Sequence, residues 1–158
     1  MNQLIRHSEL EVIDIAHWYP DEFGVYSEGA RDKTAFFPRE SGAYPFIKPE
    51  RRYLFKLSDK RYPEQFWGEI IAAEIGEMIG VSVPPAFPAI NSATKKSGAL
   101  IEWFYEDEEC TFVLGGRYME MMIDNFDTKK GRQHNFDSIV SLLEEFQTFG
   151  MIKDWLIE

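Results

Sequence analysis

Only one cysteine, Cys110, occurs in the 158 residues, which excludes an internal disulfide and a multi-cysteine metal site. Its four acidic predecessors, Glu106 to Glu109, raise rather than lower a thiol pKa, so a cysteine nucleophile is not expected. Long apolar runs are missing as well. The longest uncharged stretch, Met78 to Thr94, contains Pro84, Pro85 and Pro88 and is no membrane span. No cationic flank precedes an apolar run at the N-terminus, so no signal peptide is expected. Positive charge is scarce: 17 Lys+Arg stand against 27 Asp+Glu, a formal net charge of -10. A duplex-binding module needs a broad basic face, so direct nucleic-acid binding is not expected. His7, His17 and His134 are too far apart in sequence to suggest a metal site, and none is assigned.

What is present suits a folded, cytoplasmic chain. Hydrophobic residues make up 44% and aromatic residues 15%, enough for a core and too apolar for global disorder. Charge is unevenly placed. Residues 1–30 carry one basic and six acidic groups, a net of -5, whereas residues 31–61 carry nine basic and four acidic, a net of +5. The other 97 residues hold seven basic and seventeen acidic groups, a net of -10. A basic segment in an acidic chain fits a small anionic ligand such as a nucleotide phosphate. The alternative is that Arg51, Arg52, Lys60 and Arg61 are a solvated strand end.

The pattern predicts an α+β fold: an antiparallel sheet of about five strands, one long helix packed on it, and a short C-terminal helical segment. An extension, 1–24, is irregular or short-stranded, with Ile13, Ile15 and Trp18 as apolar anchors. Val25-Tyr26 and Thr34 to Phe37 read as a hairpin, and Arg52 to Leu57 as a strand. Pro63 opens a helix in which Phe66, Trp67, Ile70, Ile71, Ile75, Met78 and Ile79 recur at three- and four-residue spacing before Gly80. Its other face carries Glu69, Ala72, Ala73 and Gly76, small enough to lie close to a sheet. Strands follow near Ala86 to Ile90, Ala99 to Phe104 and Thr111 to Leu114, completing a lobe over 25–116. The remainder, 117–158, reads as a helical turn at Tyr118 to Ile123, a polar linker, and a helix from Phe136 with Ile139, Val140, Leu142, Leu143 and Phe146 inward. Met151, Ile152, Trp155 and Leu156 extend or restart it.

The order of elements has chemical logic. A glycine loop lets backbone N–H groups approach phosphate, a strand lysine reaches those phosphates, and a helix glutamate fixes the lysine. Protein kinases hold ATP in their smaller lobe with these parts. Singly, Gly29 also reads as a turn glycine, Lys56 as an outward strand side chain and Glu69 as a surface helix glutamate. Only the ordered set carries the inference.

Gly29-Ala30-Arg31-Asp32-Lys33-Thr34-Ala35 with Tyr53-Leu54-Phe55-Lys56-Leu57 resembles the phosphate loop and lysine strand of HipA-like serine/threonine kinases. Glu64 to Ala72, ending in Gly80-Val81-Ser82-Val83-Pro84, resembles that family's helix with the glutamate partner. Gly98 to Phe104 resembles the last small-lobe strand and the hinge. The resemblance runs from about Val25 to Phe104. It implies that Gly29, Ala30, Arg31 and Lys33 belong to a loop over the phosphates of ATP, that Lys56 contacts them and that Glu69 orients Lys56. Glu102 and Phe104 would meet adenine through main-chain groups. Ser27 stands one residue from where the family's autophosphorylated loop serine is expected, so that regulation is not carried over.

The family's Asn-x-Asp-x-His-x-x-Asn loop and its second, magnesium-binding Asp do not occur. Asn125-Phe126-Asp127 is followed five positions on by Arg132 instead of Asn. No catalytic residue is assigned, and magnesium is expected only where a catalytic lobe is supplied. Losing one electrostatic donor costs roughly a hundred- to a thousandfold in rate. The resemblance therefore implies a truncated or split ATP-binding lobe without catalysis of its own. A second reading is a non-catalytic interaction or regulatory protein, for example in a toxin–antitoxin type system; an enzyme of unfamiliar chemistry is third.

The C-terminal apolar stripe must be buried on something, by a protein partner or by self-association. Sedimentation of the purified chain is expected to show self-association that is relieved by trimming from Phe136. A monomer with a cooperative melt is the contrary result.

Overall fold

The computed structural model describes residues 11–22, 32–39, 44–58, 60–105, 113–128, 130–148 and 150. The chain divides into two compact units, Met1–Phe104 and Tyr105–Glu158. Unit 1 is built on a six-stranded sheet. Its strands are β1 (Ile13–Asp14), β2 (Tyr19–Pro20), β3 (Lys33–Phe37), β4 (Tyr53–Leu57), β5 (Ala86–Asn91) and β6 (Lys96–Glu102), in the order β1-β5-β6-β4-β3-β2. Helix α1 (Trp67–Met78) lies between β4 and β5 in the chain.

The fold is α+β as expected, but the strand count and one pairing differ. Two additional short strands come from the N-terminal segment, and β1 pairs with β5 in parallel, so the sheet is mixed. A two-residue strand leaves no periodicity to read, and its existence depends on the edge that receives it. The β3 partner on that side is β2, with Tyr19 opposite Phe37; Val25-Tyr26 and Thr111-Phe112 lie outside the described residues.

Strand alternation separates two faces. On one, Tyr53 and Phe55 of β4 join Ile13, Ile15, Ala89 and Leu100 in the main core, covered by Ile47 and the partly buried Trp18, Tyr44 and Phe46. Trp18 meets the Tyr53 ring edge-on at 5.5 Å. Apolar anchors in a charged N-terminal segment thus find their burial here. On the other face, Ala86, Ala99 and Ile101 receive Phe66, Ile70, Trp67 and Ala73 of α1 and the turn before it.

The helix begins at Trp67, after turns over 63–66, and Gly80 supplies the left-handed residue (φ 80°) just past its end. Of the small residues expected to lie close to the sheet, Gly76 is buried and Ala73 partly so, but Ala72 is exposed; a Cβ on Gly76 would lie 2.8 Å from Val83 Cγ2. The long apolar series splits. Phe66 and Ile70 are buried, while Ile71, Ile75, Met78 and Ile79 are 51–73% exposed. Six or seven apolar positions on a single helix span more arc than one sheet face covers, so only the stripe nearest the alanines is buried.

Unit 2 contains α2 (Gly115–Met122) and α3 (Phe136–Glu145). Gly115 and Gly116 thus belong to the helix, which starts three residues before the expected helical turn at Tyr118. Asn135 caps α3, its Oδ1 accepting from Ser138 N–H at 3.0 Å. Met119 and Leu142 are buried, and Tyr118 meets Phe146 edge-on at 4.9 Å. Residues 151–158, with the remaining apolar positions, lie outside the described residues. No helix among those described is long and apolar enough to cross a membrane.

Two glycines give opposite expectations. At Gly98 an added Cβ would stand 2.5 Å from the Lys56 carbonyl oxygen and 2.9 Å from the Phe55 ring. Gly98→Ala is expected to destabilise by about 1–3 kcal/mol. Nothing lies within 4 Å of a Cβ at Gly68 in α1, so Gly68→Ala should stabilise by about 0.5–1 kcal/mol. Urea melts of the two variants measure both, and equal shifts would contradict the close approach at Gly98.

Candidate functional site

Lys56 and Glu69 come together. β4 presents Leu54 and Lys56 on the α1 face, opposite the side that buries Tyr53 and Phe55, and α1 carries Glu69 one turn before the position of Ala73. The Lys56 ammonium lies 2.6 Å from Glu69 Oε1, with both side chains about three-quarters buried. An ion pair of this kind adds modest stability, since two long side chains must be held in one geometry. Its stronger effect is to fix the position of the lysine head. Antiparallel register sets Lys33 directly across from Lys56, and Ala35 across from Leu54, on the same face. Ala99 and Ile101 continue that face on β6. A lysine pair beside a small aliphatic floor is thus assembled from three strands.

The hinge-like end of β6 is built differently. Glu102 N–H donates to the Pro85 carbonyl at 2.9 Å. Pro85 has no amide hydrogen to return the bond, so it gives none to the Glu102 carbonyl. Trp103 N–H in turn donates to the Arg52 carbonyl at 2.9 Å. Beside these groups an open cleft of about 540 Å³ is walled by Arg51, Val83, Pro84, Pro85, Trp103 and Phe104. Phe104 is 61% exposed and stacks on Trp103. Of the main-chain groups expected to face adenine, the Glu102 N–H is therefore already committed within the fold.

The Glu102 side chain points to the core face, where it is 6% exposed and bonded by Lys48 Nζ at 2.7 Å, with Arg51 Nε at 3.4 Å. Arg52 pairs with the buried Asp21 at 2.9 Å and lies over the Trp103 ring, 5.0 Å from its centroid. Neither sequence reading suits Arg51 and Arg52: they are largely buried and neutralise two buried carboxylates, as burial of a charge requires. Asp21, Lys48 and Pro85 were not singled out from the sequence. Their roles depend on register and on contacts across 17 or more residues, and no local spacing signals them.

Gly29, Ala30 and Arg31, with Ser27, lie outside the described residues. His, Cys, Asp and Glu form no group able to hold a metal ion among those described. Comparison with known proteins found no matching family model, no matching curated protein and no matching solved structure.

Tyr53 ties this end of the sheet to the core. Burial pushes its phenol above the ordinary tyrosine range, against the Lys48 N–H that donates to its oxygen at 2.9 Å. A raised value in the folded state means the unfolded chain loses this proton first as pH rises. The associated stability is complete below the unfolded value near 10 and is lost as pH climbs through the higher folded value. Denaturation midpoints measured across alkaline pH should fall more steeply for the native chain than for Tyr53→Phe. Parallel profiles would refute the assignment.

Proposed function

We propose that unit 1 is a nucleotide-binding lobe of the HipA-like kinase type, holding ATP without transferring its phosphate. The Lys56–Glu69 contact at 2.6 Å carries this reading. Kinases require a strand lysine paired to a helix glutamate before the phosphates are held correctly. The order of parts supports it: a strand with Lys33, a strand with Lys56, the Glu69 helix, then two antiparallel strands ending at Glu102.

In this reading ATP supplies the phosphates and the chain supplies their placement. Lys56, braced by Glu69, offers a fixed positive charge to the phosphates, and Lys33 adds a second beside it. Leu54, partly exposed on the same face, offers apolar contact to a base. Gly29, Ala30 and Arg31 supply the loop over the phosphates, and the Glu102 carbonyl with the Phe104 main chain supplies the base edge. Magnesium chemistry and acceptor positioning belong to a catalytic lobe from elsewhere.

A second reading, an interaction protein, draws on the exposed Ile71, Ile75, Met78 and Ile79 of α1. Such a stripe is characteristic of a contact surface. Calorimetric titration with ATP, with and without magnesium, separates the two. Binding is expected for the native chain, lost in Lys56→Met and weakened about tenfold or more in Glu69→Gln, with both variants still melting cooperatively. Equal affinity of Lys56→Met, or no binding by the native chain, would leave the interaction reading in front.

A further inference from the structure

Seven of the ten described lysines and arginines of unit 1 are engaged. Lys48, Arg51, Arg52 and Lys56 are ion-paired, Arg39 lies over the Tyr19 ring, and Lys33 and Arg61 also have partners. Among the described lysines and arginines of this unit, Lys60, Lys95 and Lys96 alone have neither an ion pair, a side-chain hydrogen bond nor a ring contact. All three line one open cleft of about 660 Å³, far from the Glu102 end of the sheet. In a chain with ten more acidic than basic residues, three lysines without an ion pair in one place are not expected from composition.

The cleft is formed where β4 ends, where the turn before α1 begins, and at the β5–β6 turn. Leu57, Pro63 and Phe66 supply its apolar part. Phe66 N–H donates to Ser58 Oγ at 2.8 Å, tying the helix entrance to the end of β4. Asp32 carbonyl accepts from Leu57 N–H at 2.9 Å on the other side. Lys95 holds φ 55°, a left-handed conformation that glycine or asparagine adopts more readily.

The ligand chemistry follows from this arrangement. Asp32 and Glu64 also line the cleft and would repel a compact, multiply charged anion such as phosphate. An extended chain can distribute its carboxylates along the lysines and set an apolar side chain on Leu57, Pro63 and Phe66. We propose that this cleft binds an acidic peptide segment of a partner protein, anchored by one large apolar residue. The proposal is independent of the nucleotide reading.

The probe is a short, fluorescently labelled peptide of glutamates around a central phenylalanine, titrated with the full chain at low and high salt. Saturable, salt-weakened binding is expected, reduced about tenfold in the combined Lys60→Gln, Lys95→Gln, Lys96→Gln variant. Binding should also drop when the peptide phenylalanine becomes alanine, and be lost when its glutamates become glutamines; neither comparison depends on a variant folding. Lys56→Met should bind the peptide normally, which separates failure here from failure of the nucleotide site. Equal binding of the glutamine peptide, or by the triple-lysine variant, would falsify the proposal. Displacement by inorganic phosphate at matched ionic strength would also overturn it, assigning the cleft to a small anion.

Discussion

The pleat of β4, hydrogen-bonded to a strand along each edge, governs the arrangement of unit 1. Because neighbouring residues of a strand point to opposite faces, Tyr53 and Phe55 must enter the main core while Leu54 and Lys56 face the helix. A slip of one residue would bury Lys56 among aromatic rings and expose Tyr53. The apolar cost of that slip is what places the lysine. Gly98 makes the arrangement compact, since only a residue without Cβ lets β6 approach the Lys56 carbonyl so closely. The Lys56–Glu69 pair is therefore a consequence of core burial on the opposite side of the sheet, and its geometry is held by more than its own attraction.

The same sheet manages charge in three different ways. Near Glu102, two buried carboxylates are neutralised by Lys48, Arg51 and Arg52, and this cluster anchors the N-terminal segment and the 44–52 connection to the end of the sheet. Near Lys56, the pair with Glu69 of α1 is about three-quarters buried. In the cleft between the end of β4 and the β5–β6 turn, three lysines have no ion pair. The net charge of +5 in residues 31–61 is thus not one basic patch. Folding consumes Arg51 and Arg52 in structural pairing and leaves Lys60 to join Lys95 and Lys96, which come from a charge-poor part of the chain.

The strong strands at β4 and β6, and the helix between β4 and β5, were legible because their patterns extend over five or more residues. The pairing of Lys56 with Glu69 was legible from their order, given the resemblance to a kinase lobe. Less was legible where a contact spans the chain. β1 and β2 are two residues each and exist through the edges of β5 and β3. The exposed side of α1 shared its spacing with the buried side, because periodicity marks an apolar arc but not how much of it a sheet will cover. Pro85 counted in the sequence only against a membrane span, whereas its effect on the Glu102 carbonyl depends on the two residues being opposite each other.

By itself, the sequence determined the α+β class, the excess of acid, the exclusion of a disulfide framework, and the residue types available at Lys56 and Glu69. These depend on local propensity and composition, which act over a few residues. The tertiary structure decided which apolar face of α1 is buried, which cations are neutralised, and which lysines meet in the cleft between the end of β4 and the β5–β6 turn. Those outcomes are set by strand register and by which surfaces compete for burial. Neither quantity exists until distant segments have met.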